Sequence, residues 1–497
     1  MQIESYRERL EEFEENLNRE LYRYYSGLKD RLEIVSLYSD YSDIFSPESI
    51  REAAAELENT SELFPSRRKS LSKLIGYLTD QCIDLRSAPL IQQVAEFAAK
   101  QTLQWEGHEM PCSRVAGHLK NEPDAVSRRK LSEKYATALS QSEELRLESI
   151  AQKRSAAIAL GYADYVKARE RICGVDYSRL LNSIGSALKP LDDSYIEHLR
   201  ASVETSLGIP FQDAGAWDVA RWGEVNDVEQ VFPGRNLVPA AEAATSELGL
   251  TPERADAITL DVEHRARKRA RPFCIPLRIP QEIKIALIPE SGSQCYLALL
   301  HENGHALHFA WTDPSLPFEH RRWGDRALSE SYAFLLEQLI RDRLWLARMF
   351  LFTKSSDFLR FQSLLRMFLI RRCLGKLEYA VKLHQQQSLE RVPQAYSEIM
   401  RTSTGLHHLP ESWLDDFSDG FDSADYLRGW VLESMLRDHL RSRFGTSWDT
   451  NRAAAGFLKE IWETGQLYTA DELSREIGMG DLNPQVLADE LAEGMKI

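Results

Sequence analysis

Residues 299–309 read LLHENGHALHF, three histidines and a glutamate among eleven otherwise mostly apolar residues. In a helix, positions i and i+4 stand one turn apart on one face, so His301 and His305 can offer two imidazole nitrogens to a single ion. Glu302, about 100° round the helix from His301, lies beside that pair without being a third ligand. This is the H-E-x-x-H arrangement, in which the glutamate takes a proton from water activated by the metal. Taken singly, either histidine reads as a hydrogen-bonded core residue, and a lone Glu330 as an ion-paired helix residue. It is their joint spacing that points to a metal. A catalytic zinc wants three protein ligands and one open position. The metzincin pattern would put histidine at 311, where this chain has Trp311, and is excluded. The alternative is a glutamate on a following antiparallel helix. TDPSLPFEHRRWG (312–324) supplies a loop with Pro314 and Pro317, and DRALSESYAFLLEQLI (325–340) resumes a helical pattern. There Glu330, Ala333, Phe334 and Glu337 share a stripe. A carboxylate buried in such surroundings needs a cation, donors or a proton, and Glu330 facing the two histidines would have its cation. His308 shares a face with His305 but stands too far along the axis to reach the same ion. It is expected to support the ligands, face a substrate or pack in the core. Gly304 costs a helix about 1 kcal/mol relative to alanine, which predicts a close backbone neighbour at that turn.

Working outward, the region 1–200 repeats apolar residues at three and four with charges on the other faces, and predicts helices throughout. FSPESIREAAAEL and LTPERADAI each carry a helix-start signature. The texture changes at 258–290. ITLDVEHR, RPFCIPLRI and EIKIALIP are short and rich in β-branched or alternating residues, and predict one sheet of three strands. Helices are expected from about 293 to 390, broken by a Pro-containing loop at 312–324 and including site helices at 293–311 and 325–350, and again from 424 to the end. The expected organisation is an N-terminal helical region, 1–200, and a catalytic region, 201–497.

The chain has 497 residues, 43% of them hydrophobic, enough for a sizeable core. Its 61 basic and 76 acidic residues leave a net charge of −15, which argues against nucleic acid or an anionic membrane as partner. No uninterrupted apolar run suits a membrane span. Six cysteines without a C-x-x-C pair fit reduced thiols, and the charged start MQIESYRERLEEF carries no signal segment. The expectation is a cytoplasmic protein.

The motif residues resemble the zinc oligopeptidase family of thimet oligopeptidase and oligoendopeptidase F. The family's active helix reads His-Glu-x-Gly-His-Ala-x-His; residues 301–308 read HENGHALH. The family's third ligand lies twenty-five residues beyond its second histidine, which is Glu330 here, and a further glutamate seven residues on is matched by Glu337. An upstream pattern of Asp, Arg, Lys and Cys is met by Asp261, Arg265, Lys268 and Cys274. The likeness is good over about 255–340 and weak elsewhere. The family also carries a histidine and two tyrosines far downstream that bind the substrate carbonyl. In DDFSDGFDSADYLRGW (415–430), Tyr426 falls at the first tyrosine, while Gly429 and Phe417 stand where the second tyrosine and the histidine would be. His407 and His408 are candidate replacements, and Tyr426 also reads as a helix residue packing against Trp430.

The resemblance implies a mainly α, two-lobed helical zincin with a small sheet beside the active helix and a substrate channel. It implies hydrolysis of short peptides with one Zn2+ per chain on His301, His305 and Glu330, Glu302 as general base and Tyr426 as donor to the oxyanion. The strand EIKIALIP is expected to pair with the peptide backbone. Two other readings stand beside this one. The first is a carboxypeptidase or non-peptide amide hydrolase of the same fold, in which Arg428 or Arg321 would hold a terminal carboxylate. The second is a scaffold with a structural metal, against which the uncoordinated Glu302 speaks.

Overall fold

Helices make up most of the chain, as the periodicity predicts. The computed structural model describes residues 3–226, 228–254, 256–386, 388 and 390–496. Ser46 caps the helix Pro47–Asn59 by accepting the Ser49 N–H at 3.3 Å, with Pro47 in its first turn. The second signature, LTPERADAI, does not become a helix. Its described residues form a bend leading into the strand at Ile258, and residue 255 lies outside the described residues. The stretch between Gly249, which ends the previous helix at φ +76°, and Ile258 is too short for a helix and its two connections.

A second departure lies between helices Pro65–Lys100 and Ala125–Ser140. Strands β1 (Thr102–Trp105) and β2 (His108–Pro111) form a hairpin that adds a second sheet to the one expected. Glu106 and Gly107 make its two-residue turn at φ 50° and 82°. Four-residue strands are too short for alternation to register against the flanking helical pattern.

The expected sheet holds β3 (Ile258–Asp261), β4 (Phe273–Arg278) and β5 (Glu282–Ala286) in the order β3-β5-β4, with β5 parallel to β3 and antiparallel to β4. The strand expected to receive a substrate, β5, is therefore paired on both sides, and the open edge nearer the motif helix is β4. Along β4, Phe273, Ile275 and Leu277 are buried against Leu21, Tyr22 and Tyr25 of the helix Ile3–Tyr25. Strand alternation leaves Cys274 and its cross-strand partner Ile285 on the other face, toward the helix Ser293–Trp311. The loop from β3 to β4 is pinned by the Asp-Arg-Lys residues of the upstream pattern. Lys268 Nζ donates to the Asp261 carboxylate at 3.0 Å and to its carbonyl at 2.7 Å. Arg265 pairs with the same carboxylate and donates to the Ser26 carbonyl at 2.6 Å. Gly27, at φ +72°, lies so close to the Lys268 backbone that a Cβ would stand 2.8 Å from its nitrogen.

The chain divides into two compact units. One comprises Met1–Ala88, Glu229–Thr353 and Arg428–Val486, and contains the sheet and the motif helix. The other comprises Pro89–Val228, Lys354–Leu427 and Leu487–Ile497. Its packing includes Ile150, Tyr379, Leu383, Tyr396, Met400 and Trp413, with a buried Arg128–Asp218 ion pair at 2.7 Å. Among the described residues no helix is long and apolar enough to cross a membrane, and the six cysteines are free thiols.

Candidate metal centre

Two helices of the first unit build the site. Ser293–Trp311 carries the motif, and Arg326–Glu337, whose first turn is capped by Asp325 accepting the Ala327 N–H at 3.1 Å, packs against it. They approach so closely at Gly304 that a Cβ there would stand 2.5 Å from the Ala333 Cα and 2.6 Å from the Tyr332 carbonyl oxygen. This is the backbone neighbour the glycine predicts, and it sets the distance across which the ligands face each other. Gly304→Ala is expected to destabilise the protein by about 1–3 kcal/mol through overpacking and to weaken metal binding. Thermal unfolding with and without zinc checks this; an unchanged Tm in both states would contradict it.

His301 and His305 aim their Nε2 atoms at one carboxylate oxygen, Glu330 Oε2, at 3.5 and 3.7 Å. One ligand atom from each of the three residues lies within 4.8 Å of the others. Glu330 is buried and this Oε2 has no hydrogen-bond partner. A buried carboxylate oxygen left unbonded between two imidazole nitrogens has the surroundings of a cation ligand. The donor set, two neutral nitrogens and one carboxylate, suits zinc.

The far side of each ring is held. His301 Nδ1 lies 3.2 Å from Glu337 Oε2, and Arg341 donates to the other Glu337 oxygen at 2.7 Å. Burial works to raise the Glu337 carboxyl, but Arg341 and His301 outweigh it and hold it at about 2. His305 Nδ1 lies 2.7 Å from Ser329 Oγ, which is 3.4 Å from His308 Nδ1, and His308 Nε2 is 3.2 Å from the Gly465 carbonyl. That carbonyl can only accept, so His308 carries its proton on Nε2, and burial keeps the ring neutral by pushing it down to about 4. His308 Nδ1 then accepts from Ser329, and Ser329 Oγ accepts from His305 Nδ1–H. The chain leaves the lone pair of His305 on Nε2, facing Glu330. His308 thus sets the tautomer of His305 through Ser329.

Glu302 is half-buried beside the triad. Burial, with the nearby Glu330 charge, raises its carboxyl above the ordinary carboxylate value, opposed by Arg271 and by the Cys274 backbone N–H of β4. Gly429, standing where the resemblance would put a tyrosine, packs on Glu330. A Cβ there would lie 2.8 Å from Glu330 Cβ. Beside it Trp430 stacks on Phe334 with ring centroids 4.7 Å apart, and Phe334 lies 5.1 Å from the His301 ring.

Arg428 donates to both oxygens of Asp325, at 2.7 and 2.6 Å, and to Asp471 at 2.8 Å. It therefore anchors the start of the second site helix. Arg321 is bonded to the carbonyls of Leu316 and Ile279 and to Glu11. Tyr426, His407 and His408 belong to the second unit. Tyr426 is half-buried on the helix Asp422–Phe444. His407 Nε2 is 2.9 Å from the Gln212 carbonyl, and the buried His408 is 3.2 Å from Thr404 Oγ1. Ser329, Arg341 and Gly465 were not picked out by sequence reasoning. No spacing rule marks a serine next to a ligand or a carbonyl far down the chain.

No protein-family model matches the sequence, and no curated protein matches it either. Solved structures do match. A protein from Bacillus anthracis strain Ames assigned as an oligoendopeptidase F shares 16% identity at a TM-score of 0.65, over 92% of this chain and 84% of that one. PZ peptidase A, solved with an inhibitor, shares 14% identity at a TM-score of 0.71, over 93% of this chain and 86% of that one. The likeness thus extends far beyond residues 255–340. The chain has the mainly helical fold of oligoendopeptidase F and PZ peptidase A.

Proposed function

We propose that this protein is a zinc metallopeptidase acting on short peptides. The observation that carries the reading is an uncoordinated, half-buried glutamate next to a three-ligand cluster on a fold shared with two peptidases. A structural zinc site has no need of that glutamate and closes its fourth position with a side chain.

His301, His305 and Glu330 would hold the metal, with Glu337 and the Ser329–His308 chain orienting the two rings. When bound, zinc supplies Lewis acidity toward a water and toward the scissile carbonyl. Glu302 takes the proton from the attacking water and delivers it to the leaving amine. A carboxyl raised by burial takes the proton from the attacking water more readily than an ordinary carboxylate does, and once protonated is still acid enough to give it to an amine. The peptide lies along the open edge of β4, whose Cys274 N–H leans toward Glu302. Extended chains fit such an edge and folded proteins do not.

Zinc-loaded protein mixed with a pool of peptides of about five to fifteen residues is expected to produce cuts, read by mass spectrometry, that disappear on chelation and return with zinc. A folded protein with one zinc bound and no cut in the pool would overturn the reading.

A further inference from the structure

The hairpin of β1 and β2 belongs to the second unit and leaves one edge open. Its two-residue turn at Glu106 and Gly107 makes Trp105 and His108 the closing pair, which exchanges both ladder bonds. Alternation gives the next bonded pair to Leu103 and Met110, and the Cys112 N–H, donating to the Gln101 carbonyl at 2.9 Å, continues it. The N–H and C=O groups of Thr102 and Gln104 therefore point away from β2. Among the described residues no third strand pairs with β1.

The helix Ala125–Ser140 lies beside that edge. Gln101 donates to the Ala138 carbonyl at 3.1 Å, and Leu103 is buried with Leu131 and Ala138, with Trp105 packed against them. Outside this contact a groove of about 400 Å³ runs between β1 and the helix residues Lys130, Glu133 and Lys134. Both lysines are exposed and stand one turn apart, and among the described residues neither has an ion-pair partner. Glu133 is taken by Arg129 at 2.9 Å, and Glu109 on β2 accepts from Thr102 Oγ1 at 2.7 Å. In a chain of net charge −15 this groove is thus positive. Size selects the occupant. A strip of four strand residues, about 13 Å long, is far smaller than the roughly 800 Å² that each partner gives to a stable protein interface, and suits a short peptide. A second copy would bring its own lysines to the same edge, and like charges keep such edges apart.

We propose that the groove between β1 and the helix Ala125–Ser140 is a peptide-binding site, in which a short free peptide bearing acidic side chains adds to β1 as a third strand. The outward backbone groups of Thr102 and Gln104 hold its main chain, and Lys130 and Lys134 select carboxylates on the side facing the helix. The inference is independent of the metallopeptidase reading, which the cleavage of a peptide pool tests separately.

The test measures fluorescence polarisation of a labelled, end-blocked Val-Glu-Val-Glu-Val peptide on zinc-loaded Glu302→Gln, which should leave the probe uncut. The same peptide with Lys for Glu, and the acidic one with alternate amides N-methylated, serve as comparisons. The acidic probe is expected to bind about tenfold tighter than either. Gln104→Pro, added to that protein, removes an outward N–H and leaves the ladder bonds of Leu103 and Trp105 in place, so it should weaken the acidic probe about tenfold without lowering the unfolding temperature. Lys130→Glu with Lys134→Glu should reverse the order in favour of the Lys peptide, and this keeps the proposal testable should the proline disturb the hairpin. No binding of the acidic probe by folded protein overturns the proposal, as does equal binding of the acidic and basic forms. Binding that survives both groove variants places the probe elsewhere and overturns it too, leaving the peptidase reading intact. Self-association in sedimentation that Gln104→Pro abolishes would give the edge to a second copy and overturn the peptide as its occupant.

Discussion

Glu302→Gln is expected to bind one zinc per chain, unfold at the wild-type temperature within a degree or two, and lose about a thousandfold in kcat. The amide has the size and shape of the carboxylate and can still accept from the Cys274 N–H, so neither the helix nor the strand beside it has cause to move. His301, His305 and Glu330 keep their positions because Glu302 is not among the atoms that converge on the cluster. What the amide cannot do is accept a proton from water and return it to the amine. Measured together, metal content and kcat separate this role from its rivals. Loss of zinc in Glu302→Gln would make Glu302 a ligand. Zinc and activity both retained would leave the residue without a part in the chemistry and favour a different base.

The convergence of His301, His305 and Glu330 was legible because it depends on one local rule and one packing consequence. His301 and His305 are fixed relative to each other by helix geometry alone, and Glu330, on the buried stripe of a neighbouring helix, needs a cation, donors or a proton. Gly304 announced how close that neighbour is. The helical character of the chain was legible from periodicity in the same way. The misread parts depend on partners distant in sequence. In the three-stranded sheet the last strand is the middle one, so β5 could not be recognised as an inner strand, nor β4 as the open edge, from their composition. Arg428, a candidate to hold a terminal carboxylate, is bonded to Asp325, which lies on another segment. The support of His305 runs through Ser329 and His308 to the carbonyl of Gly465, a chain whose members share no spacing. The β1–β2 hairpin was missed for a different reason: its strands are shorter than the window over which alternation can be read.

Glu330→Ala should lose both zinc and activity, with affinity for the metal falling by more than the roughly 10–100-fold expected when an outer partner of a ligand is removed. Two carboxylates touch His301 and the sequence stripe contains both, so geometry has to choose between them. Glu337 meets His301 at Nδ1 and is bonded to Arg341 through its other oxygen. Glu330 meets Nε2 of both rings with one oxygen that nothing else satisfies. Among the described residues only the Nε2 side brings three donor atoms within reach of one ion. A histidine can bind metal through either nitrogen, and the Glu337 contact is what leaves Nε2 as the lone pair of His301. Zinc affinity is therefore expected to fall modestly in Glu337→Gln and far more in Glu330→Ala, measured by competition with a chromophoric chelator on folded protein. The reverse order would move the ligand role to Glu337 and turn His301 round to bind through Nδ1, away from His305, which would leave the pair of histidines without a common ion.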